Sequence, residues 1–137
     1  MRFTSFLPAI FWFIISVVLL ALPGNDLPHS DLFNIPFFDK YIHTIMFFVL
    51  TVLFCYPFIL YNTSGKIIKS WFFKITISAI VYGIIMEFVQ KYLVYGRSFD
   101  VIDIVFDAIG SVAGLIVINR YFNKKIGPNR NRGRNQN

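Results

Sequence analysis

The chain has 137 residues, 56% of them hydrophobic and 19% aromatic, while charged residues make up only 15%, against roughly 25% in soluble domains. A soluble fold of this size exposes too much surface to hide so much apolar side chain, which excludes an ordinary soluble domain, a disordered chain and a disulfide scaffold and leaves a small integral membrane protein. The net charge of +6 is gathered at particular span ends and does not point to nucleic acid, and the lone Cys55 cannot form an internal disulfide.

A helix crosses about 30 Å of hydrocarbon with about 20 mostly apolar residues. Between Arg2 and Asp26 there is no charged side chain, and a first span is expected at about residues 4–23. It is longer than the apolar part of a signal peptide, and Leu20-Ala21-Leu22-Pro23 is a poor cleavage site, so it reads as a retained span. Between Lys40 and Lys66 a second uncharged stretch gives a span at about 41–61. A third, at about 71–93, carries Lys74 near its start and Glu87 near its end; a fourth, at about 101–121, carries Asp103 and Asp107 in its first half. The expected fold class is an all-α integral membrane protein, a four-helix antiparallel bundle over residues 1–122. Residues 123–137, rich in Asn, Arg and Gly, read as a disordered basic tail.

The bases set the expected orientation. With four spans, ten Lys and Arg residues fall on the side of the termini and the 61–73 loop, and only Lys40, Lys91 and Arg97 on the other. The positive-inside rule then puts both termini in the cytoplasm. The basic tail reads as a topology determinant beside anionic lipid.

All seven acids fall on the outer half of this arrangement: Asp26, Asp31 and Asp39 in or at the end of the first loop, Glu87 near the end of span three, and Asp100, Asp103 and Asp107 opening span four. Asp39 and Asp100 can cap helices, and Asp103 stands where the second half of a capping box would be; capping and site formation both stay open for these three. Capping does not account for Asp107, about 10 Å deeper along its helix, nor for Glu87, at a helix end where the dipole disfavours an anion. His43 lies inside an apolar run, where a structural donor and a site residue are equally good readings. Ionisable groups in a span are costly to desolvate and mark a buried partner or a functional cavity.

Helical spacing makes these positions converge. Asp39 and His43 share a face of span two; Gly83, Glu87 and Gln90 share one of span three; Asp100, Asp103, Asp107, Gly110 and Gly114 form a stripe on span four. Gly110 and Gly114 permit close helix approach, and Gly83 can do the same on span three. The expected polar cluster is Asp39, Lys40, His43, Glu87, Gln90, Arg97, Asp100, Asp103 and Asp107. Its acids outnumber Lys40, Lys91 and Arg97, which favours protonation, pairing with Arg97 or recruitment of a cation. No compact metal motif is present and no cofactor is expected, although Asp, Glu and His leave a divalent cation as an open alternative.

The blocks Asp39-Lys40-x-x-His43, Gly83-x-x-x-Glu87-x-x-Gln90 and Gly96-Arg97-Ser98-Phe99-Asp100-x-x-Asp103-x-x-x-Asp107-x-x-Gly110-x-x-x-Gly114 together resemble the VanZ-like family of small multi-span bacterial membrane proteins, over about residues 37–120. One departure is Asp107, where the family pattern more often has Asn. The resemblance implies the bacterial cytoplasmic membrane and an association with low-level teicoplanin resistance; it supplies no catalytic residues. The favoured reading is a non-enzymatic modulator of cell-envelope chemistry or glycopeptide susceptibility. Its partners would be membrane lipids, a lipid-linked envelope precursor or a lipoglycopeptide, with Lys40, Lys91 and Arg97 as anion contacts. The alternative is an intramembrane enzyme acting on a lipid or lipid-phosphate headgroup through Glu87 or Asp107, His43 and Arg97. Four spans without an inverted repeat argue against a transporter, and the sequence does not fix the oligomeric state. The site depends on Glu87 and Asp107 meeting in one chamber.

Overall fold

The computed structural model describes residues 3–22, 38–61 and 65–132. Asp26 and Asp31, placed by the sequence in the first loop, and the last five residues lie outside them. A 3-10 turn, Phe3–Phe6, leads into α1, Leu7–Leu20, with Pro8 in the first turn. Then come α2, Phe38–Leu60, α3, Gly65–Leu93, and α4, Val101–Arg132. Four segments are long and apolar enough to cross a membrane: Phe3–Leu20, Phe38–Leu60, Gly65–Leu93 and Val101–Lys125. The protein is a four-helix membrane bundle, and the short α2–α3 and α3–α4 connections make those neighbours antiparallel.

Two helix bounds lie more than a turn from the sequence expectation. α3 starts at Gly65, before the apolar run opens, and α4 continues to Arg132 rather than ending near 121. The backbone of residues 123–132 is therefore helical, not the disordered tail expected. A helix nucleated by an apolar span extends cheaply.

α2 is the centre of the bundle. It packs most extensively on α4, less on α3, and α3 also packs on α4. Glycine makes the α2–α4 approach close. A Cβ at Gly110 would meet the Thr44 backbone carbonyl, and one at Gly114 would lie 2.9 Å from the Phe48 carbonyl oxygen. α1 leans on α2 and touches α3 but not α4 among the described residues, and only Ala9, Ser16 and Leu20 of it are buried.

The apolar core has two parts. Cys55, Ile59, Ile68, Phe72, Ile118 and Phe122 pack where α2 and α4 end and α3 begins. Leu20, Met46, Phe47, Ala79 and Met86 pack nearer the other end. There α2 and α4 begin and α3 ends, and there the polar cluster sits. Gly96, with φ 76°, makes the left-handed turn that carries the chain from α3 towards α4.

Candidate functional site

The site is built on the first two turns of α2, the last two of α3 and the first two of α4. Lys40 is the hub. Its ammonium lies 2.6 Å from Asp100 Oδ2, 2.6 Å from Asp103 Oδ1 and 3.0 Å from Asp39 Oδ2. The residue is 6% exposed, so this is a buried charge held by three carboxylates rather than a free cation. The sequence reading of Lys40 as an anion contact is thereby corrected: its ammonium is already saturated with carboxylates.

One turn on, His43 Nδ1 lies 2.9 Å from Asp107 Oδ1, and both side chains are buried. Asp107 accepts from Nδ1–H, which in the neutral imidazole leaves the lone pair on Nε2. Asp107 fits there because Gly83 faces it. A Cβ on Gly83 would stand 2.7 Å from Asp107 Oδ2. The carboxylate that departs from the resembled pattern thus has a fixed partner and a glycine that leaves room for it.

Glu87 is 1% exposed. Its Oε2 accepts the backbone N–H of Asp100 at 2.9 Å. Asp100 Oδ1 in turn accepts the N–H of Ile102 at 2.8 Å. Asp100 is therefore the N-cap of α4, as one of the two sequence readings had it. The reciprocal half of the cap comes from Glu87 on another helix, not from Asp103. This explains a carboxylate at the end of α3: it answers the positive end of α4 rather than the negative end of its own helix. Asp39 does not precede its helix; it lies in the first turn of α2.

Gln90 and Arg97 belong elsewhere than the acid cluster. Gln90 Nε2 donates to the Leu20 carbonyl at 2.9 Å, and Arg97 Nε to the Leu22 carbonyl at 3.4 Å. Both fasten the end of α1. The expected pairing of the acids with Arg97 is not formed among the described residues. Lys91 lies over the rings of Tyr92 and Phe99.

Sequence reasoning missed the hydroxyl and indole groups that hold α1. Trp12 Nε1 donates to the Met46 carbonyl at 3.1 Å. The Ser16 hydroxyl donates to the Phe13 carbonyl at 2.7 Å and accepts from the Tyr82 hydroxyl at 2.9 Å. Their polar atoms in apolar spans were the available signal.

A cavity of about 110 Å³ lies between the end of α1 and the start of α2. Leu19, Ile42 and Met46 give it apolar walls, and Asp39, His43 and Arg97 border it. A second cavity, about 320 Å³, is mainly apolar and lies among α1, α2 and α3, with Lys74 at its edge. His43, Glu87 and Asp103, all buried, each place one potential ligand atom within 4.8 Å of the others.

The arrangement can hold a proton, a cation or a small polar headgroup close to an apolar wall. No family model, no curated protein and no solved structure matches this chain.

Proposed function

We propose that this chain is a VanZ-like multi-pass protein of the bacterial cytoplasmic membrane, with both termini cytoplasmic. In this reading it is a non-enzymatic modulator of cell-envelope chemistry or teicoplanin-type glycopeptide susceptibility. Its polar end lies at the outer membrane face, where it engages the headgroup of a lipid-linked envelope precursor or a lipoglycopeptide. The orientation rests on the excess of Lys and Arg at the opposite end of the bundle.

The observation that carries the reading is the cavity between α1 and α2. It joins apolar walls to Asp39, His43 and Arg97, and the helix that closes it, α1, is the most sparsely packed of the four. An amphipathic ligand needs such a combination: a dry wall for its chain and a polar rim for its headgroup. Arg97 is the one Lys or Arg among the described residues that line the cavity, and a guanidinium suits a phosphate or carboxylate.

The test is deletion in the native host, or expression in a susceptible one, scoring lipoglycopeptide tolerance with wild type and with Arg97→Ala. Tolerance that rises with the wild type and falls back with Arg97→Ala is expected. No change with either protein overturns the reading.

A further inference from the structure

We propose that His43, Glu87 and Asp103 bind one divalent transition-metal ion of the Zn²⁺ or Mn²⁺ class, with Asp107 orienting the imidazole. This goes beyond the function proposed above and stands or falls independently of it.

The first observation is donor geometry. One potential ligand atom from each of the three side chains lies within 4.8 Å of the other two. Donors around such an ion, at about 2.0–2.2 Å from it, are no more than about 4.4 Å apart. A small contraction of three side chains therefore seats the metal. The residues come from three different helices, so the separation is set by the packing of the bundle rather than by one flexible loop.

The second observation is a buried oxygen that no hydrogen bond satisfies. Asp103 is 6% exposed, and its Oδ1 makes no hydrogen bond among the described residues, although the Lys40 ammonium lies 2.6 Å from it. Buried polar atoms are ordinarily satisfied, and one that is not calls for a further partner. His43 and Glu87 are 4% and 1% exposed. Nδ1 of His43 faces Asp107 and Oε2 of Glu87 takes the Asp100 amide, so each side chain keeps a second donor atom with which to serve a cation.

The third observation is charge. Asp39, Asp100 and Asp103 share the Lys40 ammonium, while Glu87 and Asp107 lie close to His43 with no Lys or Arg paired to them among the described residues. A divalent cation offsets two of these negative charges, which are costly in a low-dielectric interior. The His43–Asp107 pair has the form that holds a metal-binding imidazole in one tautomer and orientation. One imidazole with two carboxylates suits Zn²⁺ or Mn²⁺ better than Ca²⁺ or Mg²⁺, which favour oxygen alone. The cavity between α1 and α2 is lined by His43, at one edge of this ligand set.

The experiment uses the full chain in detergent, purified without a polyhistidine tag and stripped with a chelator. The chain's other histidine, His29, is replaced by Ala so that any imidazole signal belongs to His43. Mn²⁺ is titrated and followed by electron paramagnetic resonance, and Zn²⁺ by calorimetry. The expected result is saturable binding of about one equivalent, nitrogen coupling to the bound Mn²⁺, and at least about a tenfold loss of affinity in Glu87→Gln and in Asp107→Asn. Absence of saturable binding, absence of nitrogen coupling, or undiminished affinity in Glu87→Gln overturns the proposal. If Glu87→Gln fails to fold, the nitrogen coupling in the His29→Ala protein decides alone.

Discussion

Gly110 brings the α4 backbone so close to the carbonyl of Thr44 that no Cβ fits between them. That contact fixes the spacing of α2 and α4, and with it the separation of Lys40 and His43 from Asp103 and Asp107. Backbone cannot yield as a side-chain tip can, so Gly110→Ala must push the helices apart. The expected cost is about 1–3 kcal/mol, the usual range for an overpacked site. Gly114→Ala is expected to cost less, because its Cβ would meet the Phe48 carbonyl oxygen at 2.9 Å and otherwise the Thr51 side chain. Unfolding of both variants in detergent, followed by circular dichroism, measures the difference.

Lys40 and Asp103 form a buried ion pair, each side chain 8% exposed. Removing one partner leaves the other charge in the interior. Lys40→Met is expected to destabilise the bundle by about 3–5 kcal/mol. Lys40→Met combined with Asp103→Leu is expected to recover most of that loss, because the second change removes the stranded carboxylate. A double-mutant cycle on unfolding free energies gives the coupling.

Asp100, just outside the span, provides a pH signature. The Lys40 ammonium hydrogen-bonded to Oδ2, with the Ile102 amide on Oδ1, holds its carboxyl below the ordinary carboxylate range. A depressed folded-state value means that the stabilisation is present above about pH 4 and is lost as pH falls through the lowered value. Asp100→Asn removes the charge and keeps a good N-cap. In chelator-treated protein, wild type is expected to melt above Asp100→Asn at neutral pH, and the gap is expected to close on acidification. Melting temperatures across that range check the sign.

The attachment of α1 is the weakest in the bundle and rests on named polar contacts. Tyr82→Phe removes the donor to Ser16, and Trp12→Phe removes the donor to the Met46 carbonyl. Each is expected to cost about 1 kcal/mol. The loss is expected to be local, raising amide hydrogen exchange in α1 while α2 and α4 stay protected. Mass spectrometry of exchanged peptides reads this directly.

The four spans were legible because a hydrocarbon slab demands long uncharged helices, and Lys40, Lys66 and Asp100 mark their limits in the sequence. The convergence of His43, Glu87, Asp103 and Asp107 was legible from helical spacing, which says which residues share a face. Spacing does not say which face meets which. That is why Lys40 read as an anion contact for a ligand when three carboxylates hold it, and why Gln90 read as part of the acid cluster when it binds the Leu20 carbonyl. Glu87 looked misplaced for the same reason: the amide it satisfies belongs to the next helix. The helical continuation of α4 to Arg132 was hidden because the composition of that segment resembles a linker.

The partners of α1 also set an order of assembly. Its Ser16 waits for Tyr82, 66 positions later, and its Leu20 carbonyl waits for Gln90, 70 positions later. At a synthesis rate of about 5–20 residues per second, α1 sits in lipid for several seconds before either arrives. Its docking is therefore the last step of biogenesis for that helix, completed only after α3 has been inserted.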